Sequence, residues 1–428
     1  MLDHLAETRR RRAFVPGVAG AQPEGLIPVL NLSSTPPSPW LGGVPTQLRV
    51  RLSSEALERP VALLYPDGGG WLLELESGGE KRAWRLGGSG FPTLALADAA
   101  FETMLVTALE LTGAQALHVE GLSGLPLESL LRVQRRGLRL LVSLHDFAGF
   151  CPRPHLLEQP FQRFCEYSRD PGRCRSCLRQ DWQVPEDYQA RHRELAAGLL
   201  ELAEVVVHPS EFLRRTYLDL YPSLAANKHR VVVPGTSQGA AGGDEWRSRQ
   251  VRHVAFVGSV KAHKGGGVFE ELVERWRGRG EVHRLQWSVY GGGDADLLRR
   301  LHRLPEVRVR GYYRVGTLPR LLRRDHVDLA LLLSIIPESH SLVLSECRAA
   351  GVPCLAFDLG AVGERVRREG GGLLVPLARG AQGIDGPLHD VIERRAQIPP
   401  LLPLPPPQPA SRAMLDLYRE LGLLPGMY

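Results

Sequence analysis

The run Pro337-Glu-Ser-His-Ser-Leu-Val-Leu-Ser-Glu346, followed at once by Cys-Arg-Ala-Ala-Gly-Val-Pro353, decides the reading of this 428-residue chain. An apolar run at 327–333 precedes it and reads as a strand. Glu338 then falls in the loop at that strand's end, and Glu346 inside a short helix whose N-terminus points back at the loop. Free backbone N–H groups and the helix dipole make such a start suited to an anion. The second carboxylate lies about two helical turns on. A sugar hydroxyl, a phosphate and a ribose, in that order, match this spread of groups. The alternative is an exposed helix bearing two unrelated acids.

Working outward, short apolar runs alternate with amphipathic Arg/Leu-rich stretches, the rhythm of parallel strands covered by helices. Strands are expected in the first half at 27–32, 61–65, 71–75, 116–119, 140–144 and 205–208. In the second half they are expected at 251–257, 285–290, 307–309, 327–333 and 352–357. The chain is too long for one ordinary core. A Gly/Ser/Ala-rich segment at 235–249 reads as a linker between a first domain (1–238) and a second (250–395). Seven prolines in 399–409 exclude helix or central strand there. Helical spacing resumes at 412–421. The fold class is α/β, with two Rossmann-like domains facing across a cleft, where ligands sit beyond the carboxyl ends of the strands.

Composition narrows the class. The 43 % hydrophobic share is that of a soluble globular protein. No apolar run approaches the ~20 residues that cross a bilayer. The N-terminal stretch, with Arg9–Arg12, lacks the apolar segment of a signal peptide, so a cytoplasmic location is expected. A net charge of +6 is mild for this length and argues against general nucleic-acid binding, while leaving room for a basic face toward anionic lipid at the inner membrane surface. Only Lys81, Lys228, Lys261 and Lys264 are lysines, and two of these four stand in Gly258-Ser259-Val-Lys261-Ala-His-Lys264-Gly265. That glycine-bearing turn between a strand and a helix lets backbone approach a phosphate, and lysine adds a point charge. A plain surface turn is the alternative. Gly291-Gly292-Gly293 ends the next strand, where a tight βα turn explains the glycines as well as a ligand does.

The ordered set Phe256-Val-Gly258, Lys264-Gly265, Gly291-Gly292-Gly293, Gly311, Asp328, Glu338-x7-Glu346, Ala349-Ala-Gly-Val-Pro353 and Gly371-Gly-Leu-Leu-Val375 resembles the family 4 (group 1) retaining glycosyltransferases of the GT-B fold. The resemblance covers about 251–376. It implies that Glu346 binds the ribose hydroxyls of a nucleoside-diphosphate sugar, that Glu338 positions the donor sugar and acts in catalysis, and that Lys264 holds the diphosphate, with Lys261 in reach. It places Ser339, His340, Ser341 and Leu342 at the helix start facing the diphosphate, with Gly258, Ser259 and Gly292 lining the donor site. Two positions depart from the pattern. Ser259 stands where many members have arginine, and His340 where Phe or Tyr is common. The resemblance implies no catalytic divalent metal, and a C-terminal helix crossing back onto the first domain.

In the first half the resemblance is weaker. Trp40-Leu-Gly42-Gly43 looks like the family's glycine loop near the donor phosphate, and His208-Pro-Ser210-Glu resembles its Pro-Ser-Glu segment. His118, His145 and Asp146 fall at strand ends on the side that binds the acceptor in the family. His145 is the foremost candidate there, for binding or proton transfer. Cys151, Cys165, Cys174 and Cys177 form Cys-x13-Cys-x8-Cys-x2-Cys in an insert at about 151–180. Their spacing suits a structural tetrahedral Zn2+ site, with free thiols or a redox pair as alternatives. The activity expected is retaining transfer of a sugar to an acceptor hydroxyl, on a lipid-linked glycan or a polysaccharide, with peripheral membrane contact. The rival is a GT-B relative without turnover that recruits partners or nucleic acid through the four-cysteine insert.

Overall fold

The computed structural model describes residues 28–37, 43–77, 79–88, 91, 93–134, 137–234, 250–314, 316–402 and 409–425. The predicted linker at 235–249, the Arg9–Arg12 run and Gly42 lie outside these residues.

The first domain runs β1 (Val29–Ser33), α1 (Val44–Glu55), β2 (Val61–Asp67), β3 (Gly70–Ser77), β4 (Glu80–Leu86), α2 (Ala99–Thr112), β5 (Ala116–Glu120), α3 (Leu127–Gln134) and β6 (Arg139–Ser143). An insert follows, with the hairpin β7 (Leu157–Glu158) and β8 (Arg163–Phe164) and the helix α4 (Pro171–Arg179). Then come α5 (Tyr188–Leu202), β9 (Val205–His208), α6 (Glu211–Leu220) and β10 (His229–Val231). The sheet order is β10-β9-β6-β5-β1-β2-β3-β4. It is parallel except for the β2-β3-β4 meander. Central strands such as Val-Val-Val-His at 205–208 are buried along their whole length, as strands covered on both faces must be. The edge strand β4 is the opposite case. Its Glu80, Lys81, Arg82 and Arg85 are solvent-facing, and charge on an edge discourages pairing with other chains. Lacking an apolar run, β4 is invisible to apolar patterning.

The second domain runs β11 (His253–Val257), α7 (Gly266–Gly278), β12 (Gln286–Tyr290), α8 (Ala295–His302), β13 (Val307–Gly311), α9 (Leu318–Arg324), β14 (Leu329–Leu332), α10 (Leu342–Ala349), β15 (Cys354–Phe357), α11 (Gly360–Glu369), β16 (Gly372–Val375) and α12 (Gly380–Ile392). Its all-parallel order, β13-β12-β11-β14-β15-β16, reverses direction between β11 and β14. In doubly wound sheets the crevice at such a switch point is where ligands bind. Asp328 stands at the other end of the sheet, where its carboxylate accepts the Arg252 and His253 N–H groups, both at 2.9 Å, and locks the start of β11 to β14.

The last helix, α13 (Ala410–Glu420), packs on the first domain. Met414, Leu417 and Tyr418 join Val29, Ala116, Leu141, Val205 and Val207 in one buried cluster. Among the described residues no helix is long and apolar enough to cross a membrane.

Candidate active site

Two carboxyl-terminal turns of the second sheet form the site. After β11, the chain turns at Gly258, makes a short helical turn at 262–264 and enters α7 through Gly265, whose φ of 80° is left-handed. A Cβ at Gly265 would sit 1.8 Å from the Leu333 carbonyl oxygen, so only glycine lets this turn lie against the end of β14. The Ile335 N–H and the Ser334 hydroxyl both donate to the His263 carbonyl, at 3.0 and 3.2 Å. The lysine turn and the Glu338 loop are thereby fastened together. Lys264 Nζ lies 3.0 Å from Glu338 Oε1, with both side chains partly open to solvent.

The Glu338 loop is held from its far side as well. A Cβ at Gly360 would fall 2.6 Å from the Glu338 nitrogen, and the Ala361 N–H donates to the Glu338 carbonyl at 2.9 Å. Ser341 then caps α10 from a left-handed conformation, φ 68°, accepting the Leu344 N–H. A serine at positive φ is strained, and such strain collects at sites where function fixes the backbone. The Arg365 guanidinium, from α11, donates to the carbonyls of His340 and Ser341 at 3.1 and 3.0 Å and to the Ser345 hydroxyl at 3.0 Å. These bonds aim the first-turn amides of α10, Leu342 included, which the helix itself leaves unsatisfied.

Glu346 lies along α10, 9 % exposed, and accepts the Gly316 N–H at 3.0 Å. Burial raises its pKa above the ordinary glutamate value, and the Gly316 bond opposes that rise. Tyr313 lies close enough for its own hydroxyl to be raised by burial and then by Glu346. Beside it Tyr312 presents 76 % of its surface to solvent, an unusual setting for a large ring at the carboxyl end of a strand.

The glycine turn after β12 serves the backbone. A Cβ at Gly291 would lie 1.8 Å from the Gly258 carbonyl oxygen, and one at Gly293 lies 2.2 Å from that of Val260. Gly292 is buried with the Tyr312 ring 2.3 Å from where its Cβ would be. The triple glycine zips two turns together and supports the site from below. Ser259 is exposed beside it, as is Lys261.

His340 turns away from the donor side. Its ring is buried against the first domain, with the Pro209 carbonyl as a backbone partner, and burial and then Arg365 hold it well below the usual histidine range. The Pro-Ser-Glu segment is part of the same interdomain contact. Ser210 caps α6 by accepting the Leu213 N–H at 3.1 Å, and its hydroxyl donates to the Ser339 carbonyl at 2.5 Å. The Phe212 N–H donates to Glu364 at 3.1 Å, and Arg215 pairs with the same carboxylate.

On the first domain Gly43 stands exposed at the start of α1 with φ 74°. His145 is half-buried, its Nε2 3.3 Å from Glu120 Oε2. His118 and Asp146, grouped with it in the sequence reading, have structural partners of their own. His118 is fully buried, 2.7 Å from the Tyr418 hydroxyl and 2.8 Å from the Ser143 hydroxyl. Side chains alternate along a strand, so His118 and Glu120 share the face of β5 that α13 covers. Burial holds His118 at a pKa of about 4, a neutral structural ring that ties α13 to the sheet. Asp146 accepts the Ala148 N–H at 2.8 Å and shapes its own turn. Burial raises its pKa.

The cysteine insert is also corrected. Among the described residues no three His, Cys, Asp or Glu side chains converge as metal ligands. Cys177 Sγ accepts the Gln159 N–H at 3.3 Å, Cys174 donates to the Ser168 carbonyl at 3.4 Å, Cys151 faces Gln189 at 3.9 Å, and Cys165 packs partly buried against the main core. The insert is held by Glu158, 3 % exposed, which takes Arg163 at 2.9 Å and Arg173 at 2.7 Å, and by the Arg193 guanidinium stacked 4.0 Å from the Phe150 ring.

Residues 251–385 match the family model of glycosyl transferases group 1. No curated protein matches the chain in sequence. Among solved structures, a sucrose-phosphate synthase from Thermosynechococcus elongatus aligns with TM-score 0.60 at 16 % identity, over 92 % of this chain and 99 % of that one. An α,α-trehalose-phosphate synthase (UDP-forming) from Burkholderia vietnamiensis aligns at TM-score 0.55 and 14 % identity, covering 92 % and 94 %. HepE of Anabaena, solved with UDP, aligns at TM-score 0.52 and 13 % identity, covering 93 % and 100 %. These likenesses give the fold: two Rossmann-like domains in the GT-B arrangement.

Proposed function

We propose that this protein is a retaining glycosyltransferase of family 4, moving a sugar from a nucleoside-diphosphate donor to an acceptor hydroxyl. The observation that carries the reading is the Lys264–Glu338 pair at the start of α10, with Glu346 further along the same helix. The group 1 match over the second domain supports it, as do similar folds solved in complex with UDP and with ADP. A leaving diphosphate develops negative charge as the glycosidic bond breaks. Lys264, Lys261 and the first-turn amides of α10 would stabilise that charge where it forms. Glu346 would accept from the ribose hydroxyls and Glu338 from the donor sugar. The acceptor proton would pass to the departing phosphate, so His145 would serve to orient the acceptor hydroxyl as much as to move a proton. The acceptor would be a lipid-linked glycan or polysaccharide at the inner membrane face, as the family resemblance implies.

The test is nucleotide release from UDP-, GDP-, dTDP- and ADP-sugars, with and without lipid extract, using Glu338→Gln as control. Release from one donor, lost in the variant, supports the reading. Absence of both release and saturable nucleoside diphosphate binding would sink it.

A further inference from the structure

The cysteine insert touches the other domain through His155. The rings of His155, in the insert, and His263, one residue before Lys264, stack with centroids 4.3 Å apart and planes 15° from parallel. His155 keeps part of its surface open to solvent at the turn and is otherwise packed, and His263 is half-buried. The charged groups facing the pair are Lys261 and Lys264 from the turn after β11, and Glu338, acting on His155, from the loop after β14. The stack therefore stands on the group of residues read above as the diphosphate site.

Neutral imidazoles stack readily, but two imidazolium rings beside two ammonium groups repel. Burial first, then the lysines, lower His155, with Glu338 opposing. Burial, then His155 and the lysines, lower His263. The closed contact thus favours the neutral rings. It is fully present above the ordinary histidine pKa of 6.5 and weakens as pH falls below it. A bound diphosphate reverses the local balance. Its negative charge compensates both lysines and favours the imidazolium form, and histidine needs little shift to charge near neutral pH.

We propose that His155, supplied by the first domain's insert, is a phosphate-binding residue of the closed cleft, which takes up a proton when a nucleoside diphosphate binds and so holds the two domains over it. This rests on the donor-site reading above. A charge-assisted bond from the His155 ring to a phosphate oxygen replaces the ring stack, and the proton comes from solvent.

The experiment is calorimetric titration of the full chain with UDP, GDP, dTDP and ADP at pH 6.5 and 8.5, in buffers of different ionisation enthalpy. His155→Phe keeps a stacking ring and removes the proton site. His155→Gln keeps a hydrogen-bond donor without charge. The wild type is expected to take up a proton on binding beyond what the ligand accounts for in the variants. His155→Phe is expected to lose about tenfold in affinity at pH 6.5 and less at pH 8.5, and His155→Gln to fall between them. Equal affinity and equal proton uptake in wild type and His155→Phe overturn the proposal alone. Failure of the wild type to bind any of the four overturns the donor-site reading and this proposal with it.

Discussion

Replacing Glu338 by glutamine separates nucleotide binding from turnover. In the unliganded site Glu338 neutralises Lys264 across 3.0 Å, with the two side chains 18 % and 30 % exposed. A partly exposed pair of this kind is worth about 1 kcal/mol. An arriving diphosphate must compete with Glu338 for the ammonium group, and about 1 kcal/mol corresponds to about a fivefold change in affinity. Glu338→Gln removes the competing charge while keeping the shape. A nucleoside diphosphate without sugar should then bind about fivefold tighter. Sugar transfer needs the carboxylate at the donor, and its rate should fall by about a hundredfold or more. Lys264→Ala should instead weaken the diphosphate about tenfold, since it deletes a charge-assisted bond. The two substitutions touch one pair, so their effects should not add. Titration of the diphosphate with the four proteins of this cycle, alongside nucleotide release, reads both quantities. If Glu338→Gln weakens the diphosphate as Lys264→Ala does, or leaves turnover intact, the competition argument is wrong.

Glu346 is buried and its pKa is raised, so the ionised carboxylate costs stability above that pKa. Glu346→Gln should raise the stability of the unliganded protein by about 1 kcal/mol near pH 7 while weakening donor binding, read by thermal melting and titration. Donor binding by the wild type should likewise decay as pH falls, beginning above the pH at which an ordinary glutamate protonates. Ser210→Asp keeps the cap of α6 and loses the donor to the Ser339 carbonyl, so melting should change little while turnover falls. Ser210→Ala should lower both, with about 1 kcal/mol lost from the cap. Tyr418→Phe deprives buried His118 of its Nδ1 partner and should destabilise the chain by about 1–3 kcal/mol in denaturant melts without altering nucleotide affinity. Elemental analysis should find well under one zinc per chain, and Cys151, whose thiol burial pushes up to about 12, should be the slowest of the insert's thiols to react with a disulfide reagent.

The second domain was legible where its parallel strands are apolar runs, as in β11, β12, β14 and β15, of which β11 and β12 lead straight into glycine, because buried parallel strands carry that signal along their length; β16, Gly-Leu-Leu-Val at 372–375, was not among the expected strands. Val205–His208 and the start of β2 at Val61 fall where the apolar runs place them. The edge strand β4 could not be found that way, because its residues are charged for reasons of solubility. His118 at a strand end looks the same in sequence whether it faces the cleft or the core. The decision rests with α13, whose Tyr418 arrives from 300 residues away. Cysteine spacing likewise left metal, thiol and redox readings open. What holds the insert is Glu158 between two arginines, and nothing in their spacing marks that carboxylate as buried. Gly360 and Arg365 were missed as parts of the site for the same reason. A glycine that opens a helix and an arginine in its middle carry no signal until the Glu338 loop is seen resting on them.

The grip on that loop also explains why the interdomain contacts fall where they do. Gly265 and Gly360 press on it from two sides within the second domain, and Arg365 fixes its exit into α10. The Ser339 carbonyl of the loop is taken by Ser210 of the first domain, and His340 lies beside Pro209. An opening of the cleft that breaks the Ser210 bond would remove one hold on this loop, leaving Arg365 to fix Ser341. The amides that would meet a diphosphate are therefore best aligned when the domains are together. That is the geometry in which His155 also stacks on His263, next to Lys264. If the donor-site reading holds, closure and anion binding should favour each other, because the same few residues would serve both.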